Sequence, residues 1–231
     1  MSIKVICPTR DRPDSAWEVL QSLEQTRALG NTSVVFAIEE DQMDAYAVPR
    51  GEMVLPLLVV EGGNMVKALN EGAMEALAQP HPPTMIGFIG DDHRFRTKGW
   101  DRLFLEKAGE VGPAMMYAYD GARTDIPTEC FITSDIVRAL GWMSPPDLIH
   151  LYVDNSWKEL GDAADVLYFF KDVLIEHMHP FYGKAPMDAG YQRVNQETMY
   201  SKDRESFTAW RTGPRFDADV RTIVRLVENR S

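Results

Sequence analysis

Two carboxylates and an imidazole stand side by side at positions 91–93, directly after the apolar run 85–89. Carboxylate oxygens suit Mg²⁺ or Mn²⁺, and an imidazole shifts the preference toward Mn²⁺. A metal held by Asp91, Asp92 and His93 can bridge the two phosphates of a nucleoside diphosphate and neutralise the charge of that group as it leaves. The same tripeptide is also compatible with a solvated acidic turn at a strand end.

Two earlier apolar runs, 3–7 and 34–38, also end in polar clusters. Between the runs lie segments with apolar residues at helical spacing, so the first ~90 residues predict the order β-α-β-(loop)-β-α-β. Continuous apolar strands alternating with helices indicate an α/β fold, with a Rossmann-like, mainly parallel sheet covered on both faces. Ligands of such sheets bind outside the carboxyl ends of the strands. The clusters fall there, and their members are Pro8, Thr9, Arg10 and Asp11 after the first run and Glu39 and Asp41 after the second.

The second half of the sequence is more mixed. Apolar patterns predict helices over 100–110 and 151–160, a strand over 114–119, and a strand running into a short helix over 131–142. Runs 166–170 and 173–178 predict a hairpin that turns at Lys171-Asp172. Residues 195–231 predict two helices separated at Gly213-Pro214. The net charge is −11, whereas residues 193–231 carry 8 basic and 6 acidic side chains. We therefore predict a domain over 1–192 and a C-terminal helical extension over 193–231.

The run 86–95, followed by Gly99-Trp100, resembles the DxD/DxH region of GT-A-type glycosyltransferases, especially family-2-like enzymes. Asp91-Asp92-His93 matches the D-x-H form found in polypeptide N-acetylgalactosaminyltransferases. The resemblance implies a nucleotide-sugar donor, with Asp91 on the ribose and metal side and His93 as a direct ligand. Small phage-encoded transferases of this kind are known.

The N-terminal segment 5–13 resembles the opening strand and loop of the same superfamily, which hold the base and ribose. Thr9 and Arg10 can donate hydrogen bonds to a uracil edge or a phosphate, and Asp11 can accept one from a base N–H. Glu39 and Asp41 lie where the family keeps acidic residues that accept from the base or ribose. The stretch 62–72 is similar to the family's glycine-rich helix entry, which implies that Lys67 and Asn70 face the nucleotide. A plain helix with an exposed lysine fits this stretch nearly as well.

Two later elements complete the resemblance, which covers residues 3–180. Asp154 matches the carboxylate that serves inverting family-2 enzymes as general base, although Asn155 stands where a second acid is common; Asp154 also suits a helix cap. His177 and His179 alternate along a strand and therefore share a face. In D-x-H enzymes a later histidine completes the metal shell, so one of these two is a candidate ligand, with His179 slightly preferred.

These features favour an inverting, Mn²⁺- or Mg²⁺-dependent transferase that uses a UDP-sugar or another nucleotide-sugar. The alternatives are a nucleotidyltransferase, whose glycine-rich signature loop is not present at 8–13, and a non-catalytic nucleotide-sugar-binding protein. The acceptor stays open between a hydroxylated DNA base, a protein and a glycan precursor. The oligomeric state also stays open, with a homodimer as one option. The sequence contains neither a ~20-residue apolar span nor a signal peptide, which predicts a cytoplasmic protein without a membrane partner.

Overall fold

The computed structural model describes residues 1–61 and 63–230. Its first half follows the predicted order. The elements are β1 (Ile3–Pro8), α1 (Pro13–Thr26), β2 (Ser33–Glu39), a 3₁₀ turn (Glu40–Gln42), α2 (Met43–Tyr46), β3 (Leu57–Val60), α3 (Met65–Ala78) and β4 (Met85–Phe88).

The second half contains some elements that the sequence predicted and others that it did not. They are β5 (His93–Phe95), α4 (Trp100–Val111), β6 (Met115–Tyr119), β7 (Cys130–Thr133), α5 (Ser134–Leu140), α6 (Val153–Ala163), β8 (Leu167–His177), a 3₁₀ turn (Pro180–Tyr182), α7 (Ala189–Val194), α8 (Glu197–Thr212) and α9 (Pro214–Glu228). The short helix α7 has no counterpart in the sequence-based prediction.

One eight-stranded sheet, in the order β3-β2-β1-β4-β7-β6-β8-β5, forms the centre of the molecule. The strands β3, β2, β1 and β4 are parallel, whereas β7 runs antiparallel to both β4 and β6. Apolar side chains fill both faces: Trp100 and Phe104 of α4 are buried on one, and Leu69 of α3 and Trp157 of α6 on the other. The α/β fold with helices on both faces is confirmed, and its parallel part is the half that the sequence predicted most clearly.

The predicted hairpin around Lys171-Asp172 is wrong. Residues Leu167–His177 form the single strand β8, which pairs in parallel with β6 and antiparallel with β5. The register shifts between Ala118 and Tyr119, whose partners are Phe170 and Leu174, so Lys171 and Asp172 lie in a bulge. The two apolar runs therefore pair with other strands rather than with each other, because a bulge accommodates the polar residues without reversing the chain.

The C-terminal helices α8 and α9 pack against helices α5 and α6. Contacts join α9 to α5, α6 and α8, and α8 to α6. Trp210, Phe216 and Ile223 of these helices are buried in the same apolar cluster as Trp157. The boundary predicted between residues 192 and 193 falls within α7, and the division into a domain and an extension stays a prediction. Within 1–61 and 63–230, each helix is too short or too polar to cross a membrane.

Candidate functional site

A cleft of about 740 Å³ opens at the carboxyl ends of β1, β2 and β4, where parallel sheets place their ligands. Its volume is within the range of small-molecule sites, roughly 300–1,000 Å³. The structure brings together at this cleft most of the residues that the sequence singled out. Those in its wall are Pro8, Thr9, Arg10, Glu39, Asp91, Asp92, His93, Asp154, His177 and His179.

Asp92, His93 and His177 form a compact cluster in the cleft. Strand β5 begins at His93 and β8 ends at His177, and the two residues are paired directly across the antiparallel ladder. Their rings stack with centroids 4.2 Å apart and an angle of 15° between planes. One potential ligand atom from each of the three side chains lies within 4.8 Å of the others. Two imidazoles and a carboxylate are a donor set that suits Mn²⁺.

Nδ1 of His93 has two alternative partners in this cluster. The backbone N–H of Gly90 lies 3.2 Å from Nδ1, and a carboxylate oxygen of Asp92, Oδ1, also lies 3.2 Å from that nitrogen. An unprotonated Nδ1 accepts from Gly90, whereas a protonated Nδ1 donates to Asp92. Nε2 of His93 and Nδ1 of His177 are buried without a hydrogen-bond partner.

Gly90 makes room for this arrangement. A Cβ atom at position 90 would lie 2.5 Å from Oδ1 of Asp92 and 3.2 Å from Nδ1 of His93. A side chain at position 90 would therefore require the carboxylate of Asp92 to move.

Asp92 is the centre of the cluster's hydrogen bonds. Its Oδ2 accepts from the hydroxyl of Tyr191 (2.6 Å) and contacts Nε2 of His177 (3.1 Å). Burial raises the pKa of Asp92, but the hydrogen bonds with His177 and His93 outweigh burial and hold that pKa well below its ordinary range. The carboxylate is therefore ionised at neutral pH and able to bind a cation.

Asp91 has a different set of partners from its neighbour. Its Oδ2 accepts from the hydroxyl of Thr9 (2.6 Å), and its Oδ1 accepts from Arg12 (3.0 Å). Burial, with the charge of Asp92, raises the pKa of Asp91 to about 6. Arg12 also binds Asp188 and lies over the ring of Tyr191. The carboxylate of Asp91 is thus already neutralised by a protein cation, and its predicted role as a metal ligand stays a prediction.

His177 and His179, the two later histidines, have different surroundings. His177 belongs to the three-residue cluster, whereas Nδ1 of His179 accepts the backbone N–H of Phe181 (3.2 Å) at the start of a 3₁₀ turn. The ring of His179 lies among aromatic side chains, with that of Tyr191 5.0 Å away. The structure therefore gives more support to His177 as a ligand, although the sequence slightly favoured His179.

The other end of the cleft is lined by Arg10 and by Glu39, the last residue of β2. Arg10 forms ion pairs with Glu39 and Asp41, and Glu39 also accepts the backbone N–H of Gly63 (3.0 Å). Gly62, part of the predicted glycine-rich entry to α3, lies outside the described residues. Asp11 is adjacent to this group and has positive φ (60°).

Two predicted nucleotide-facing residues of α3 have protein partners instead. Lys67 pairs with Glu61 and Glu71 on the surface. Asn70 accepts from the backbone N–H groups of Met143 and Ser144 and donates to the carbonyl of Ser144, so its amide holds the loop after α5. Neither side chain lines the cleft, and their nucleotide contacts stay predictions.

Asp154 lies in the cleft wall at the first turn of α6. Tyr152, just before this helix, has a left-handed backbone (φ 62°), which is uncommon for a residue with a side chain. Burial raises the pKa of Asp154. A higher pKa makes its carboxylate a stronger base than an ordinary aspartate.

Asp203 of α8 holds the loop that leads to Asp154. This wholly buried carboxylate accepts three backbone N–H groups, from Ile149 (2.9 Å), His150 (2.9 Å) and Leu151 (2.7 Å). The C-terminal helices are thereby connected to the cleft wall by charge-assisted hydrogen bonds, which are stronger than neutral ones.

Sequence reasoning missed four residues that shape the site. Arg12 binds Asp91 and Tyr191 binds Asp92. Gly90 leaves room for Asp92 and His93, and Glu129 is a buried acid behind His93. Burial raises the pKa of Glu129 to about 8. The one sequence signal for Glu129 is a carboxylate placed directly before the apolar strand Cys130–Thr133, since acids are rarely buried without a partner.

The sequence matches none of the known protein-family models and none of the curated proteins. Solved structures do match. The chain is similar to the mannosyltransferase PcManGT from Pyrobaculum calidifontis in complex with GDP-Man and Mn²⁺, with a TM-score of 0.63 and 14% identity over 97% of this chain and 69% of that one. It is also similar to S. aureus TarS 1–349 in complex with UDP-GlcNAc, with a TM-score of 0.61 and 14% identity over 100% and 72% of the two chains. The chain has a GT-A-like glycosyltransferase fold, as the motifs predicted.

Proposed function

From this fold, we propose that the chain is a metal-dependent glycosyltransferase, which moves a sugar from a nucleotide-sugar to an acceptor hydroxyl. One observation carries the proposal: Asp92, His93 and His177 each offer a ligand atom within 4.8 Å of the others, and all three line a cleft at the carboxyl ends of the parallel strands. These three residues would hold Mn²⁺ or Mg²⁺. When bound, such a cation neutralises the diphosphate as it leaves the sugar.

The donor proposed is a UDP-sugar. Both structural relatives described above bind nucleotide-sugars, one of them GDP-Man with Mn²⁺ and the other UDP-GlcNAc. In this chain Thr9, Arg10 and Glu39 line the base end of the cleft and offer both donors and acceptors to a nucleoside. The proposal places the diphosphate between that end and the metal cluster.

Asp154 is the general base in this proposal. It lies in the cleft wall, and its raised pKa suits it to accept a proton. The acceptor oxygen attacks the anomeric carbon, its proton passes to Asp154, and the bond between that carbon and the diphosphate breaks. Attack from the face opposite the leaving group inverts the anomeric configuration. The acceptor class stays open between a hydroxylated DNA base, a protein and a glycan precursor.

A thermal-shift experiment tests the metal and donor together. We expect UDP with Mn²⁺ to raise the Tm of the wild-type protein, because a ligand at 100 times its Kd stabilises by about 2.7 kcal/mol. Asp92→Asn and His177→Gln should abolish the shift. Glu176→Gln is the matched control: it is next to His177 on β8, but its carboxylate pairs with Arg96 and Lys184.

The outcomes separate the parts of the proposal. A shift with GDP or CTP but not with UDP would exclude the uridine donor and leave the metal site. Nucleotide binding that does not depend on Mn²⁺ or on Asp92 would exclude the metal site. Transfer itself is measured by release of UDP from UDP-sugars, and NMR of the product gives its anomeric configuration.

A further inference from the structure

Two aromatic residues in the cleft wall have no role in the proposed mechanism. Phe181 and Tyr182 line the cleft, yet 67% of the first residue and 41% of the second are exposed. Folding normally removes much of such a ring from water, because burying apolar surface is favourable. Adjacent exposed rings inside a concave site therefore indicate a surface that a bound molecule covers.

A short turn fixes the position of both rings. At the start of the 3₁₀ turn Pro180–Tyr182, Nδ1 of His179 accepts the backbone N–H of Phe181. Gly183 ends the turn with a left-handed backbone (φ 68°). The ring of His179 lies 4.9 Å from that of Phe181 and 6.1 Å from that of Tyr182. We call His179, Phe181 and Tyr182 the aromatic platform; because the turn holds it in place, a ligand loses little affinity to ordering it.

The aromatic platform is next to the groups to which the proposed mechanism gives the transfer. The ring of Tyr182 lies 6.5 Å from that of His177, a member of the metal cluster. Burial raises the pKa of Tyr182, and the charges of nearby acids raise it further while Arg123 lowers it; the acids are Asp120, Asp125 and Asp154. Asp154, the proposed general base, is therefore within electrostatic range of the platform.

The charges around the platform disfavour a polyanionic acceptor. Within the described part of the chain, each arginine of the cleft wall already pairs with an acid; the pairs are Arg10–Glu39, Arg12–Asp91, Arg123–Asp125 and Arg193–Asp11. A nucleic acid gains much of its affinity from cations that contact its phosphates. Here the phosphates would meet acids and cations that are already paired, on a chain of net charge −11.

We propose that the acceptor is a neutral glycan, whose sugar ring stacks on the aromatic platform and directs a hydroxyl at Asp154. In many pyranoses one face of the ring consists of C–H groups, which gain by leaving water for an aromatic surface. The edge of the same ring carries hydroxyls, which donate to carboxylates. A neutral sugar therefore matches both the exposed rings and the acidic surroundings. The inference rests on the proposed function and narrows its acceptor class.

A screen of acceptors tests the class. UDP release from a panel of UDP-sugars with Mn²⁺ is measured alone and with three kinds of probe: methyl pyranosides and neutral oligosaccharides, a DNA duplex with hydroxymethylated cytosine, and a peptide with serine and threonine. We expect the neutral glycans to accelerate UDP release. Acceleration by DNA or peptide alone, or by none of the probes, overturns the inference, and binding of UDP with Mn²⁺ then keeps the proposed function. A wild-type protein that binds no nucleotide with Mn²⁺ overturns both.

Phe181→Ala tests the aromatic platform itself. Because most of this side chain faces solvent, the variant should fold like wild type. Loss of the ring should raise the KM for the glycan about tenfold, equivalent to ~1.4 kcal/mol, with kcat and the Kd for UDP near their wild-type values. Phe181→Trp keeps an aromatic face and should restore the KM.

Phe169→Ala is the matched control. Phe169 is also an exposed phenylalanine (36%), but its ring stacks on Tyr117 and neither residue is in the cleft wall. The KM for the glycan should stay at the wild-type value in this variant. An unchanged KM in Phe181→Ala, or an equal rise in Phe169→Ala, overturns the inference and leaves the proposed function intact.

Discussion

Asp203→Asn should loosen the wall of the cleft from a position in the C-terminal helix α8. The wild-type carboxylate accepts three backbone N–H groups, from residues 149, 150 and 151, and is wholly buried. An amide keeps the shape but presents an NH₂ group on one side, so at least one of these N–H groups loses its acceptor. Hydrogen bonds to charged groups contribute roughly 1.5–3 kcal/mol each, and a buried unsatisfied donor adds to the cost. We therefore expect the free energy of unfolding to fall by about 2–4 kcal/mol.

The assay is urea denaturation followed by circular dichroism, combined with donor binding and turnover. Because the anchored loop leads to Asp154 and not to the metal cluster, turnover should fall while affinity for UDP and Mn²⁺ stays near the wild-type value. Asp101 is another buried acid that accepts backbone N–H groups, from Ala28 and Leu29, and Asp101→Asn should destabilise by a similar amount without the loss of turnover. A loss of stability below about 0.5 kcal/mol, the ordinary range for surface changes, would refute the reasoning.

Three further outcomes are expected. Asp154→Asn should reduce kcat by about two to four decades, as loss of a general base does, with an unchanged Kd for the donor. Because burial raises the pKa of Asp154, folding favours its protonated form, and the stability that this form contributes is lost as pH rises through the folded-state pKa. The Asp154→Asn variant should therefore be more stable than wild type at pH 7. The acidic limb of the pH profile of wild-type kcat should lie above the ordinary aspartate pKa of about 3.9. Wild-type kcat in the variant would remove Asp154 from the mechanism. Gly90→Ala should weaken Mn²⁺ binding about tenfold, because its Cβ would lie 2.5 Å from Oδ1 of Asp92, whereas Gly109→Ala, with nothing within 4 Å of its Cβ, should leave calorimetric affinity unchanged. Phe216→Ala should lower the free energy of unfolding by about 3–5 kcal/mol in urea, since this side chain is buried with Trp210; a variant as stable as wild type would show that α9 contributes little to the core.

The parallel half of the sheet could be predicted from the sequence because its signals are local. Each strand of that half is a short apolar run, and each helix between them shows apolar residues at helical spacing. The carboxyl ends of those strands meet at one edge, so polar residues that follow them, such as Thr9, Glu39 and Asp91, had to lie near each other. The structure places all three of these residues in the wall of one cleft.

The remaining partners of the site could not be predicted because they depend on long-range pairing. Strand β8 reads as two strands with a turn, since sequence alone does not reveal that β6 and β5 are its partners. Tyr191 reaches Asp92 across 99 positions, and Arg12 reaches Asp188 across 176. Arg12 lies in the loop between β1 and α1, whereas Asp188 and Tyr191 lie at the start of α7, so both contacts depend on tertiary packing. Glu129 lacks a local signal beyond an acid beside an apolar strand.

The direct pairing of His93 with His177 in the β5–β8 ladder bears on the order in which this molecule is assembled. During synthesis, a chain that has reached residue 160 contains Asp92 and His93 but not the third member of the cluster. Strand β8 must be made and added to the sheet edge before the three side chains can meet, and contacts so distant in sequence form slowly. In the proposed metal site, manganese affinity would therefore report that β8, the last strand of the chain, has joined the sheet.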